Sequence, residues 1–140
     1  MSFENRFTRD KLETKVKITI VNTNKAKMPA IDFDAIKDAI LGAFYKLTLV
    51  ITNPATIKKY NAIYRGQNRP TDILSFPYSK DEGEIYICPS ETKKEAAKFE
   101  RNYENFFAYL FIHGCTHLKG YAHSVTMERA EAKFRKKFNI

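Results

Sequence analysis

Thr71-Asp72-Ile73-Leu74-Ser75-Phe76, closed by Pro77, and Gly83-Glu84-Ile85-Tyr86-Ile87, closed by Pro89, read as two strands with no helix between them. That adjacency decides the fold class, because strand and helix patterns alternate everywhere upstream. Residues 15–21 alternate Val16, Ile18 and Ile20 with Lys17 and Thr19, the period of a half-buried strand. Residues 32–45 place Ile36, Ala39, Ile40, Ala43 and Phe44 on one face of an amphipathic helix. Residues 47–52 are apolar and β-branched, a second strand. Asn53-Pro54 then opens a helix, as N-cap and first-turn proline, that runs to about Tyr64 and ends before Gly66. Downstream only helices follow. Ser90 caps residues 91–99. Residues 101–119 carry Phe106, Tyr109, Leu110, His113 and His117 along one face, with Gly120 as stop signal. Ser124 or Thr126 caps a last helix reaching Phe138. The order β-α-β-α-β-β-α-α-α predicts an α+β domain: a small mixed four-stranded sheet packed with about five helices, the His113–His117 helix central. Sheet order is not legible at this level.

The chain of 140 residues fits one domain spanning 1–140. Hydrophobic residues at 44% and charged residues at 29% are ordinary globular composition. The charge balance is not: 24 Lys and Arg against 16 Asp and Glu give a net +8. That excess points to a polyanion, nucleic acid or an acidic membrane face, without choosing between them. It is concentrated at the ends. Residues 1–60 have 11 basic and 6 acidic side chains, residues 61–100 have 6 and 7, and residues 101–140 have 7 and 3. Arg6, Arg9, Lys11, Lys15 and Lys17 lie near the start, and Lys133, Arg135, Lys136 and Lys137 near the end. Each cluster also reads as a solvated face, the second as a complement to a helix dipole. The apolar run 106–112 is far shorter than the ~18–20 residues of a membrane span. The first fifteen residues lack the apolar core of a signal peptide, so a cytoplasmic protein is expected. Two cysteines, Cys88 and Cys115, make neither a disulfide framework nor a CxxC zinc pair.

All three histidines fall within eleven residues: His113-Gly114-Cys115-Thr116-His117-Leu118-Lys119-Gly120-Tyr121-Ala122-His123. Residues four apart on a helix stack one turn apart on the same face, so two imidazoles can converge on one metal. Gly120 lets the chain leave the helix, and His123 can fold back as a third ligand. Three nitrogen donors leave a fourth tetrahedral position for water, the catalytic form of a zinc site, where the water pKa falls to about 7. Three imidazoles also suit Cu, Ni and Fe. The blander alternative is a pair of packed histidines on an apolar helix face. Cys115 lies on the opposite side of the helix and reads as packing. The peptidase pattern H-E-x-x-H needs a glutamate where Gly114 stands, which disfavours a peptide-hydrolysing zincin.

These residues resemble a known family. Residues 113–123 are similar to the H-G-x-L-H-L-x-G-Y-D-H signature of the YbeY family of bacterial endoribonucleases, also described as rRNA maturation factors. Tyr64-Arg65-Gly66 followed by Pro70-Thr71-Asp72-Ile73-Leu74-Ser75-Phe76-Pro77 resembles the family's Y-R and P-T-D-V-L-S-F-P. Gly83-Glu84-Ile85-Tyr86-Ile87-Cys88-Pro89 resembles its G-D-I-x-I-C-P. The matches cover roughly residues 60–125 in the family's order. The resemblance implies a zinc-dependent, single-strand-specific endoribonuclease acting in 16S rRNA 3′-end maturation and ribosome quality control. It implies one zinc ion held by His113, His117 and His123, a catalytic Arg65, and the small ribosomal subunit and the Era GTPase as partners. Three positions depart from the pattern: Thr116 for leucine, Ala122 for the aspartate before the third histidine, and Glu84 for aspartate. Ligating histidines need outer partners, so without that aspartate another group must orient them, or affinity falls.

The remaining candidates each have two readings. Arg65 is a solvated charge at a helix end or, with the resemblance, a phosphate clamp, since a planar guanidinium suits a phosphodiester. Asp72 is a turn residue or a site carboxylate. Ser75 is a strand residue or a donor lining the cleft. Glu84 is a candidate base and substrate contact. Tyr121 is a packing residue or a stacking platform. Whether the attacking oxygen is water or the ribose 2′-OH stays open. Two other functions remain: a ribosome-assembly factor whose zinc is structural, and a zinc hydrolase acting on other substrates.

Overall fold

The computed structural model describes residues 15–120 and 125–140. Four strands form one sheet: β1 (Thr19–Asn22), β2 (Lys46–Ile51), β3 (Ile73–Ser79) and β4 (Glu82–Ile87), in the order β1-β2-β4-β3. β1, β2 and β4 run parallel, and β3 is antiparallel to β4. Parallel neighbours need a crossover, and α1 (Phe33–Leu41) supplies it between β1 and β2. α2 (Pro54–Arg65) follows β2. α3 (Pro89–Lys98), α4 (Tyr103–Lys119) and α5 (Val125–Lys137) close the chain. The described residues thus hold the expected α+β architecture, a mixed four-stranded sheet with five helices.

Helix starts follow local chemistry. Asp32, Asn53 and Asn102 each accept a hydrogen bond from the backbone N–H three residues on. Several boundaries differ from expectation. β1 spans only Thr19–Asn22 rather than 15–21, because pairing with β2 starts at Thr19 and the Val16 N–H donates to the Ala43 carbonyl instead. α1 stops at Leu41, because Gly42 turns the chain at φ +101°. α3 starts at Pro89 with Cys88 in the cap position, so Ser90 is inside the helix. Thr126 lies inside α5, and Ser124 falls outside the described residues. β3 does not end before Pro77 but runs through it to Ser79, with a register shift between the two. A missing N–H is tolerated there because β3 is the edge strand.

Strand alternation gives the sheet two unlike faces. Leu47, Leu49 and Ile51 of β2 and Ile85 and Ile87 of β4 are buried against Phe33, Ile36 and Ile40 of α1 and Phe107, Phe111 and Ile112 of α4. Burying a side chain of this size stabilises by roughly 1.5–3 kcal/mol, so this face carries the core. Phe33 sits edge-on to Phe107 and Phe111, at 5.9 and 4.9 Å between ring centres. Charge is buried on this side too. Lys37 of α1 donates from Nζ to the carbonyls of Val16 (2.6 Å), Gly42 (3.3 Å) and Ala43 (3.2 Å) and lies 2.9 Å from Asp38 Oδ1. It ties the segment before β1 to the end of α1. The opposite face carries Thr48, Glu84, Tyr86 and Phe76, partly covered by α2, whose Ile57 clusters with Leu74 of β3 and with Cys88.

Candidate functional site

α4 is capped by Asn102 and stops where Gly120, at φ +103°, donates back to the carbonyls of His117 and Thr116. His113 and His117 fall in its last two turns. Their rings meet edge to face, 4.9 Å between centres. Both line a cleft of about 510 Å³ with Tyr64, Arg65, Ile73, Leu74, Ser75 and Phe76. The cleft wraps the edge strand β3. α4 forms one wall, and the C-terminal turn of α2 brings Tyr64 and Arg65 to the other. α2 ends there because Gly66 adopts a left-handed conformation at φ +68°.

His113 has a carboxylate partner. Glu131 of α5 places Oε2 2.8 Å from His113 Nδ1. An ionised carboxylate only accepts, so in the neutral ring Nδ1 carries the proton and the lone pair sits on Nε2. Thr116 Oγ lies 2.8 Å from the His113 carbonyl and 3.1 Å from the same Glu131 oxygen. Arg135 lies 3.6 Å from Glu131 Oε1 and also packs over the Tyr109 ring at 4.9 Å. Burial alone would raise the Glu131 carboxyl. The hydrogen bonds of His113 and Thr116 and the Arg135 charge outweigh it and hold the carboxyl below its ordinary range. A carboxylate on the far nitrogen is the usual outer partner of a ligating histidine.

The donor set fits a metal in this respect: two imidazoles one turn apart in one cleft, one of them held in a fixed tautomer. No group of three His, Cys, Asp or Glu side chains is placed to hold an ion among the described residues. The expected third ligand, His123, lies outside the described residues, as do Tyr121 and Ala122.

Gly114 has a steric reason. A Cβ there would lie 2.9 Å from Ile85 Cδ1, 3.1 Å from Ile73 Cδ1 and 3.1 Å from Ser75 Oγ. The position after His113 faces the sheet, so a glutamate there would point into packed side chains rather than the cleft.

Of the expected site residues, Arg65, Ser75, His113 and His117 come together in the cleft. Asp72 and Glu84 do not line it. Asp72 sits before β3, where its carbonyl accepts from Cys88 N–H; burial, then the Glu95 charge, pushes its carboxyl above the ordinary 3.8. Glu84 lies on the open sheet face and accepts from Tyr78 Oη at 2.7 Å. Cys115 is fully buried and its thiol is pushed far up by burial, in keeping with a packing role. Glu131 was missed by sequence reasoning. Its signal was available: in α5 it falls at the spacing of Met127, Phe134 and Phe138, a lone carboxylate on an apolar stripe. Arg135, read from sequence as one of a basic end cluster, is partly committed to holding it.

The family model described as Endoribonuclease YbeY matches residues 11–139. Proteins named Endoribonuclease YbeY are similar along much of the chain. That of Petrotoga mobilis is 32% identical over 85% of this chain and 89% of its own. That of Pseudoalteromonas translucida is 35% identical over 68% and 70%. For the Thermotoga maritima relative, 35% identical, the aligned stretch covers 64% of this chain and 61% of the relative. A solution structure of a Thermotoga maritima protein superposes with a TM-score of 0.64 at 28% identity, over 86% of this chain and 88% of that one. No described helix is long and apolar enough to cross a membrane. The family model, the relatives and the shared fold lead to one conclusion: the chain belongs to the YbeY family of endoribonucleases, hydrolases that cleave RNA.

Proposed function

We propose that this chain is a single-domain, metal-dependent endoribonuclease of the cytoplasm, specific for single-stranded RNA. It acts in 16S rRNA 3′-end maturation and ribosome quality control. Its substrate is rRNA of the small ribosomal subunit, and a ribosome-associated GTPase is a partner. One zinc ion would be held by His113, His117 and His123. The observation that carries the reading is the meeting of His113, His117 and Arg65 in one cleft, with Glu131 fixing the His113 ring. When bound, the metal supplies positive charge beside a phosphoryl oxygen and lowers the pKa of water.

The chain's own residues divide the remaining work. Arg65 reaches the cleft from the end of α2, and its guanidinium binds the phosphodiester and stabilises charge that grows as the bond breaks. The Ser75 hydroxyl, on the cleft wall, donates to substrate oxygen. Glu131 orients His113 and keeps its proton on Nδ1. Glu84 acts outside the cleft, bracing the β3–β4 hairpin through Tyr78, and Asp72 contributes to the same region through its backbone carbonyl, which accepts from Cys88 N–H.

The test is metal content and cleavage of a single-stranded RNA by the native protein and by His117→Ala and Arg65→Ala. The native protein should carry zinc and cut. His117→Ala should lose both. Arg65→Ala should keep zinc and lose about 10²–10³-fold in rate, the usual cost of an oriented charge-stabilising donor. A metal-free native protein, or unchanged cleavage by His117→Ala, overturns the proposal.

A further inference from the structure

Beside the histidine cleft lies a second concavity, on the open face of the sheet. It encloses about 260 Å³, and among the described residues its lining is aromatic: Tyr60, Tyr64, Phe76, Tyr78 and Tyr86. Four rings form a closed cycle. Tyr60 meets Tyr64 at 6.2 Å and Tyr86 at 5.3 Å, and Phe76 meets Tyr64 at 5.2 Å and Tyr86 at 5.5 Å. Tyr60, Phe76 and Tyr86 pack on Ile57, Leu74 and Cys88, so they form a fixed floor. Tyr64 and Tyr78 leave 64% and 59% of their surface exposed, far more than packing requires. Tyr64 and Phe76 line both this concavity and the cleft, so the two are continuous.

The surrounding charge is ordered. Residues 54–69, which hold α2 and the turn after it, carry Lys58, Lys59, Arg65 and Arg69 and no acid. Acids stand on the other side, Asp81 and Glu82 at the hairpin turn and Glu84 on the sheet. Glu84 is engaged with the Tyr78 hydroxyl, and burial first, then Glu84, pushes the Tyr86 phenol up to about 12, so that ring is neutral. A carboxylate amid the rings repels phosphate and tolerates bases. A basic helix beside them attracts phosphate.

We propose that this aromatic concavity is a base-stacking subsite for single-stranded RNA, holding a nucleobase next to the bond presented to the cleft, with the phosphate backbone along α2. The inference rests on the proposed function, from which the histidine cleft takes its role. Every base has a π face, so stacking binds without reading sequence; a duplex keeps its bases stacked internally and has none to offer.

The test uses the full chain with a chelator present and a fluorescein-labelled single-stranded oligo(A) 12-mer RNA, read by anisotropy. Tyr64→Ala and Tyr78→Ala should each weaken binding about five- to a hundredfold. Tyr64→Phe and Tyr78→Phe should bind as the native protein does. The slope of affinity against salt should stay unchanged in the alanine variants and fall in Lys58→Ala. Binding of a 12-base-pair RNA duplex should not respond to the tyrosine substitutions. Native affinity in Tyr64→Ala/Tyr78→Ala, an equal loss for the duplex, or displacement of the RNA by an extended peptide would overturn the subsite. Failure of the proposed function reads differently: the oligomer binds and depends on the tyrosines, but the zinc-loaded protein does not cut it.

Discussion

The same four strands present two faces, and they have been put to different uses. On one, leucines and isoleucines of β2 and β4 are sealed under α1 and α4, with Leu49, Ile51, Ile85, Ile87, Phe107 and Phe111 at 0% exposure. On the other, the intervening positions carry Thr48, Glu84, Tyr86 and Phe76, and α2 covers only part of them. The strand period of two fixes which residue goes where. The first face is filled and supplies stability. The second leaves rings in solvent, a cost a small domain bears when the surface has something to bind. The cleft sits where the faces meet, around edge strand β3, with histidines from the filled side and Arg65 from the open side.

This contrast can be broken by substitution. Phe111→Ala on the filled face should cost about 3–5 kcal/mol in denaturant unfolding, through lost burial and a residual cavity. Glu131→Gln, between core and cleft, should lower zinc affinity by about ten- to a hundredfold in a chelator competition while the fold persists. A loss of fold instead would mean that Glu131 belongs to the core alone. Asp72 gives a pH signature. Its folded pKa is raised, so the folded state holds the proton more tightly; stability from this group is full below 3.8 and is lost as pH rises through the folded value. Asp72→Asn should therefore be more stable than native at neutral pH, with the gap closing in acid. Tyr78→Ala on the open face should change stability by no more than about 0.5 kcal/mol, since surface substitutions rarely do more. A large loss there would make the open face a second core.

Much of the fold could be read from the chain because its signals are local. Asp32, Asn53 and Asn102 cap helices in reach of their own backbone, and Gly120 ends α4 through its own dihedral angle. The extension of β3 through Pro77 could not be read, because it depends on β3 lying at the edge, and sheet order is a long-range property. The site divides the same way. His113 and His117 announce themselves by helical spacing, and Arg65 by its place in a resembling motif. Glu131 stands out locally as a carboxylate on an apolar stripe, but its pairing with His113 spans 18 residues and two helices, which the stripe does not encode. Glu84 was a candidate by motif, yet alternation with Ile85 and Ile87 already turned it to the other face.

The claim that the cleft is a metal-dependent site is tested most directly by a crystal structure with anomalous data collected at the zinc edge. One ion per chain is expected in the cleft, bound by His113 through Nε2 and by His117, with Glu131 still on His113 Nδ1. No anomalous peak in the cleft of zinc-supplemented protein, or an ion bound elsewhere with both histidines uninvolved, would contradict it.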